Sequence, residues 1–326
     1  KEIADRLKLS RSLVSKVLNG NLGTTKVKPE TARAILDLAA KLGYRPNPTA
    51  VSLATGRQGT IGVLIRRFGI PASRLPDTLT DGISEEARLV RQRLVLTYYG
   101  DDTETRCFEL LTESNRIDGL IFAGKIHPRL AADLATFDAV PVVSVCTQKI
   151  SDRLSWIGID NHRIGYLAAE HLIQRGCRRL ALIDTWEHRS RGVLHAMRDG
   201  GVEVFDALTF KADTFRHTDG AAAVRHFLAS GVPFDGLIAQ SDEQAAGAIN
   251  ELRRCGIDVP GRVKITGVDN APFCEFCACP LTSVDQNLHH AGRLALRTLM
   301  RTIDDPRTPP VRMEVEPVLV ARASTQ

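Results

Sequence analysis

The sequence of 326 residues has no long apolar run: the longest, such as Ile61-Gly62-Val63-Leu64-Ile65, are strand length, against the roughly 20 residues a membrane-spanning helix needs. It lacks an apolar segment behind a charged start, and Lys1-Glu2-Ile3-Ala4-Asp5-Arg6 carries no secretory pattern, so the cytoplasm is the expected compartment and no membrane partner is expected. The Gly-x-Ser-x-Gly elbow, the Gly-x-x-x-x-Gly-Lys-Ser/Thr phosphate loop and the Gly-x-Gly-x-x-Gly fingerprint are missing, which leaves no motif for those enzyme classes. The seven cysteines are odd in number and scattered, unlike a disulfide framework. Cys274-x-x-Cys277-x-Cys279 has neither a second Cys-x-x-Cys nor a His-x-Glu partner, as a structural zinc site or a zinc deaminase would require. No enzymatic activity, cofactor or metal is expected.

Charge is present but unevenly placed. Residues 1–57 hold 11 Lys and Arg against 4 Asp and Glu, a net of +7, whereas the rest hold 32 against 34. A small basic module on a slightly acidic body is the electrostatic footprint of nucleic-acid binding, although a solvated basic face has the same charge. Within the module, Ile3, Ala4 and Leu7 share one helical face and Lys8-Leu9-Ser10 interrupts it. A second helix follows over Arg11 to Leu18, capped by Ser10, with Leu13, Val14, Val17 and Leu18 available for packing. Two short helices across a three-residue break make a helix-turn-helix. The start of its second helix enters the major groove, which puts Arg11, Ser12 and Lys16 at base edges, where Arg and Lys donate to guanine O6 and N7. A third helix opens at Pro29 and carries Ala32, Ile35, Leu36, Ala39 and Leu42 until Gly43 stops it. Tyr44-Arg45-Pro46-Asn47-Pro48 then reads as a rigid linker, and Thr49 to Gly56 as a short segment of helical potential.

The residues Ile3-Ala4, Ser10, Val14-Ser15, Val17-Leu18-Asn19-Gly20, Leu42-Gly43-Tyr44-Arg45-Pro46-Asn47 and Ala50-Val51-Ser52-Leu53 resemble the lactose and galactose repressor family, and the resemblance runs over essentially the whole chain. It implies a repressor that binds a pseudo-palindromic operator in double-stranded DNA as a homodimer, with affinity set by a small-molecule effector, a carbohydrate. The implied DNA-contacting residues are Ser10, Arg11, Ser12, Ser15, Lys16, Asn19, Tyr44, Asn47, Ala50 and Leu53. In the family the segment around Leu53 is a hinge helix formed on the operator, whose paired leucines wedge into the minor groove and bend the duplex. Two departures stand out: Lys28-Pro29 replaces a Ser-type cap, and the loop Gly20 to Lys28 is extended.

From Thr60 onward, short apolar runs alternate with helical patterns. The runs are Ile61 to Ile65, Leu94 to Tyr98, Gly119 to Ala123, Val140 to Val145, Leu180 to Asp184, Gly236 to Ala239 and Val263 to Val268. Such alternation indicates parallel sheets with crossover helices, here in two groups and hence two doubly wound lobes. The expected architecture is an α-helical helix-turn-helix headpiece (1–46), a hinge and linker (47–59), and an α/β effector-binding and dimerisation domain (60–326). That domain resembles periplasmic binding proteins, with an N-lobe of about 60–158 plus 288–315 and a C-lobe of about 161–284 plus 318–326. The chain would cross between lobes near Asp160-Asn161, Asp285-Gln286 and Glu316 to Leu319. A transporter's sugar-binding component shares the two-lobed fold, but predicts an export signal and no headpiece.

Ligands in open α/β sheets sit at the carboxyl ends of the strands. Asp160 ends the run Trp156 to Ile159 and Asp269 ends Ile265 to Val268, and both match effector-contacting positions of the family. Arg189, in His188-Arg189-Ser190-Arg191-Gly192, matches the arginine of its Glu-Arg-x-x-Gly-Phe pattern; a planar guanidinium can hold vicinal hydroxyls or a carboxylate by bidentate bonds. Phe215 matches an effector-packing ring, Trp186 lies close to Arg189 in sequence, and Asp242 matches the second member of an Asn-Asp pair whose first member is Ser241 here. The expected effector set is therefore Asp160, Trp186, Arg189, Phe215, Asp242 and Asp269. In the N-lobe the family's Asn-Pro-Phe-Phe stretch is replaced by Gly69 to Asp77, so Arg66, Arg67 and Arg74 would make that wall more cationic, as suits an acidic sugar.

Overall fold

The computed structural model describes residues 2–18, 25–44, 56–66, 74–100, 104–112, 117–124, 126–146 and 149–326. Among these residues the N-terminal module has three helices, α1 (Glu2–Leu7), α2 (Arg11–Leu18) and α3 (Pro29–Lys41). They close on a small core of Ile3, Ala4, Val14, Val17, Ile35 and Ala39. The turn between α1 and α2 passes through Lys8 in the left-handed region, and the Ser10 hydroxyl accepts the Leu13 N–H at 3.1 Å, so one of the free donors of α2 is capped. Lys28 makes no side-chain cap, and Pro29 opens α3 at a position that needs no N–H partner. Gly43 ends it at φ +59°, the left-handed cap glycine adopts without a Cβ penalty. One expectation fails here: Leu36 is exposed, because Ile35 and Ala39 turn the packing stripe of α3 away from it.

Among the described residues the body holds two six-stranded sheets. The first contains β1 (Thr60–Arg66), β2 (Arg93–Tyr99), β3 (Gly119–Ala123), β4 (Val142–Val145), β5 (Ser155–Ile159) and β11 (Arg312–Val315), in the order β11-β5-β4-β3-β1-β2, all parallel. Both its faces are covered, as parallel sheets require. Ile61, Val63 and Ile65 point to the side of α4 (Leu75–Leu89) and α11 (Leu288–Asp304), whereas Leu64, Leu120 and Phe122 point to that of α5 (Glu104–Thr112) and α6 (Pro128–Thr136). This alternation is the two-residue period of a strand.

The second sheet contains β6 (Leu180–Asp184), β7 (Thr209–Lys211), β8 (Gly236–Ile238), β9 (Lys264–Val268), β10 (Thr282–Asp285) and β12 (Val318–Val320), in the order β12-β10-β9-β8-β6-β7. Only β12 is antiparallel, pairing Ser283 with Val320. Leu180 and Leu182 pack toward α7 (Asn161–Gln174) and α8 (Glu187–Asp199), and Ala181 and Ile183 toward α9 (His217–Ala229) and α10 (Asp242–Arg254). The chain passes from β5 to α7, from β10 to α11 and from β11 to β12, so three crossings join the lobes. They meet through the Asn287 amide donating to the Glu316 carbonyl (3.2 Å) and an Arg163–Glu316 ion pair (3.4 Å).

Three helix pairs share one device. Gly165 and Gly192 join α7 to α8, Gly220 and Gly247 join α9 to α10, and Gly82 and Gly292 join α4 to α11. Each glycine faces the carbonyl three residues before its partner glycine, and a methyl group at any of the six would overlap that oxygen. The helices approach to a distance that only glycine permits.

Candidate functional site

On the headpiece, Arg11, Ser12, Ser15 and Lys16 are exposed on one side of α2, while Val14 and Val17 bury the other. Positions i, i+1, i+4 and i+5 share a helical face, so the expected groove-reading side chains lie on the solvent side. Lys16 Nζ donates to Thr25 Oγ1 at 2.8 Å, an exposed bond and therefore readily exchanged for a phosphate or base acceptor. Ser10 caps α2 and is exposed, as is Tyr44, beyond the end of α3. Asn19, Asn47, Ala50 and Leu53, and with them the hinge segment, lie outside the described residues.

The second cluster forms where strands of the second sheet end. Arg189, on the first turn of α8, is only 4% exposed. Its Nε donates to Asn161 Oδ1 (3.0 Å) and one terminal nitrogen to the Gln240 carbonyl (2.6 Å). The Trp186 and Phe215 rings lie 5.3 and 5.9 Å from its guanidinium carbon, both within cation–π range. Trp186 is exposed, so one face of this aromatic frame meets solvent. Burial lowers the Arg189 pKa, and the carboxylates of Asp269 and Asp242 oppose that shift.

Asp269 follows β9 with φ +114°, a region L residues rarely adopt. Its carboxylate accepts the Gln286 amide at 2.5 Å, and burial pushes its pKa up to about 8 against the pull of Arg189. Asn270, also at positive φ, donates its N–H to Ser283 Oγ (2.9 Å) and its amide to Asp285 (3.0 Å) and accepts from Arg322 (2.7 Å), which locks the turn.

Sequence reasoning missed the organiser of this cluster. Gln240, 1% exposed, accepts the Trp186 N–H (2.7 Å), donates to Ser190 Oγ (2.7 Å) and receives Arg189 on its own carbonyl. Ser241 caps α10 and donates to the Phe215 carbonyl (2.8 Å), so the serine at the family's Asn position fastens the aromatic residue in place. Asn161 and Gln286 sit at two of the crossings; their one sequence signal was that location.

Asp160 caps α7 by accepting the Arg163 N–H at 2.8 Å, next to Asn161. Asp242 is placed differently from the expectation: it is buried, and its two oxygens accept the Ala271 N–H (2.7 Å) and the Ser283 hydroxyl (2.6 Å), so it ties a turn to β10 inside the lobe. Arg74 pairs with Asp77 (3.2 Å), which reduces the cationic wall expected of the N-lobe, and Arg67 lies outside the described residues. Cys274, Cys277 and Cys279 are free thiols, and Cys277 donates to the carbonyls of Cys274 (3.6 Å) and Cys279 (2.9 Å). Among the described residues no helix is long and apolar enough to cross a membrane.

The family model of the periplasmic binding protein-like domain matches residues 169–325. Catabolite control protein A of Staphylococcus xylosus is 29% identical over 93% of this chain and 92% of its own length. The HTH-type transcriptional regulator DegA of Bacillus subtilis is 29% identical over 99% and 97%. Among solved structures, the transcriptional regulator CelR in complex with cellobiose is 26% identical, with a TM-score of 0.70 and coverage of 99% and 98%. The Lac repressor dimer bound to operator and an anti-inducer shares the fold at 20% identity, with a TM-score of 0.75 and coverage of 99% and 97%. A headpiece with its basic face outward, two crossed α/β lobes and relatives aligned end to end agree: the chain is a transcription regulator, similar over its whole length to the lactose and galactose repressor family.

Proposed function

We propose that this regulator is a repressor that binds a pseudo-palindromic operator as a homodimer, in the cytoplasm on the nucleoid, under control of a carbohydrate effector held by the C-lobe. Residues 1–46 form the DNA-binding unit, 47–59 the hinge and 60–326 the sensing and dimerising unit. Arg11, Ser12, Ser15 and Lys16 read the operator from the exposed face of α2, with Ser10 and Tyr44 beside them; Asn19, Asn47, Ala50 and Leu53 complete the contact set. Two-fold symmetry follows from the need to read two half-sites.

The observation that carries the effector reading is the Arg189 guanidinium framed by the Trp186 and Phe215 rings and held by Asn161 and Gln240. Aromatic faces suit the C–H surface of a sugar ring, and an oriented guanidinium with amide and carboxyl neighbours suits its hydroxyls. Asn161, Trp186, Arg189, Phe215 and Asp269 form the effector set, with Asp160 at its edge and Asp242 as a support behind it. A ligand that draws the lobes together shifts the crossings, and thereby the geometry in which paired hinge segments meet DNA. A relative solved with cellobiose supports the carbohydrate class.

The test is a thermal-shift screen of neutral sugars and sugar acids against wild type and Arg189→Ala. A hit should stabilise wild type and lose at least tenfold in affinity in the variant; a hit bound equally by both would overturn the pocket.

A further inference from the structure

Outside the effector cluster, one group of chemistry-bearing side chains has no assigned role. His162, on the first turn of α7, and His195, in the second half of α8, face each other across the glycine crossing. Their Nε2 and Nδ1 atoms are 3.3 Å apart while the ring centres are 5.2 Å apart, so each ring aims a nitrogen at the other. Both side chains are exposed.

On the far side of the His195 ring, Nε2 lies 3.5 Å from Asp199 Oδ2, one helical turn along α8. Asp199 is itself held by the Tyr166 hydroxyl, which donates to the same oxygen at 3.0 Å. A carboxylate at Nε2 keeps the proton on that nitrogen and leaves the Nδ1 lone pair facing His162. This is the arrangement by which a carboxylate orients a metal-bound histidine.

We propose that the α7–α8 face carries a binding site for a borderline-soft divalent ion of the zinc class, with His162 Nε2 and His195 Nδ1 as ligands and Asp199 as the positioning residue of His195. An ion about 2.1 Å from both nitrogens, at their observed separation, subtends roughly 105°, close to the tetrahedral angle. Among the described residues no group of three or more His, Cys, Asp or Glu could hold a metal, so water completes the coordination. The His162 carbonyl faces Gly192, and Asn161 beside it receives the Arg189 Nε, so the ion bridges the two helices that frame the effector arginine.

The experiment uses the full chain without a polyhistidine tag. Zn2+ and Ni2+ should each raise the unfolding temperature by about 2–4 °C at ten times the dissociation constant. Mg2+, which prefers oxygen ligands, should not. His162→Ala and His195→Ala should each abolish the shift while keeping the wild-type unfolding temperature without metal, because both rings lie at the surface. Asp199→Asn should weaken binding about tenfold. No shift in wild type, or an equal shift in the double variant through other histidines or the cysteines, would overturn the site; unchanged affinity in Asp199→Asn would overturn the role given to that residue.

Discussion

At Asp269 both backbone and side chain are held where neither is favourable alone. A φ of +114° and a buried carboxyl persist because the Val284 carbonyl accepts its N–H (3.0 Å), Gln286 holds its side chain and Asn270 anchors the next peptide. Strain kept at one point by several surrounding bonds is the mark of a position under functional constraint. The carboxyl gives a measurable sign. With its folded pKa raised from 3.8 to about 8, the folded state keeps a proton that the unfolded state has released between those values. The associated stability is present in full below the unfolded value and is lost as pH rises through the folded one. Asp269→Asn removes this dependence, so its unfolding temperature minus that of wild type should increase steadily from pH 5 to pH 8. A difference flat across that range in thermal melts would mean that the carboxyl is ionised in the folded protein.

At the scale of elements, the glycine crossings make a prediction whose sign is diagnostic. Ala in place of Gly inside a helix ordinarily stabilises by about 1 kcal/mol. At Gly165 the new methyl would overlap the carbonyl of Arg189 itself, and overpacking of this kind costs about 1–3 kcal/mol. Gly165→Ala should therefore melt several degrees lower and, because α8 is displaced at Arg189, bind effector more weakly. Gly292→Ala, which strikes the Leu79 carbonyl in the other lobe, should lose stability without that change in affinity. Calorimetric melts and effector titrations of the two variants separate the effects. Such crossings also mark the limit of what the sequence disclosed. The buried strands β1, β3 and β6 were legible as continuous apolar runs, and α2 as a capped stripe with a basic outer face. The strands β7, β11 and β12 are only three or four residues long, too short to show a period, and β11 reads Arg-Met-Glu-Val with no apolar run. Gln240 was equally silent, since a neutral amide after a strand looks like any loop residue until its bonds to positions 50 or more residues away are seen. Asp242 misled for the same reason, because its partners Ala271 and Ser283 lie far along the chain.

For the whole molecule, the three crossings mean that each lobe is assembled from separated segments, and the C-terminal residues belong to the lobe that begins at α7. Ser324 and Thr325 are fully buried there. The Ser324 hydroxyl accepts the Thr282 N–H (2.9 Å) and donates to the Ile265 carbonyl (2.7 Å), stitching β9 to β10. Thr325 meets Thr282 and His171, both at 2.8 Å, so it joins the sheet to α7, and Arg322 reaches Asn270 beside the strained Asp269. Ser324→Ala leaves a buried donor and a buried acceptor unsatisfied at a cost of about 1–3 kcal/mol each. That loss should appear as faster amide exchange in β9, β10 and α7, with β1, β3 and α11 protected as in wild type, because the first lobe has its own core on both faces of its sheet. Removing residues 321–326 withdraws these bonds together and should unfold the second lobe well below the melting temperature of the first, giving two transitions in calorimetry where Ser324→Ala shifts only one. Loss of protection in both sheets at once would instead mean that the crossings couple the lobes into a single cooperative unit, in which case effector binding would act by stabilising the whole body rather than by moving one lobe against the other.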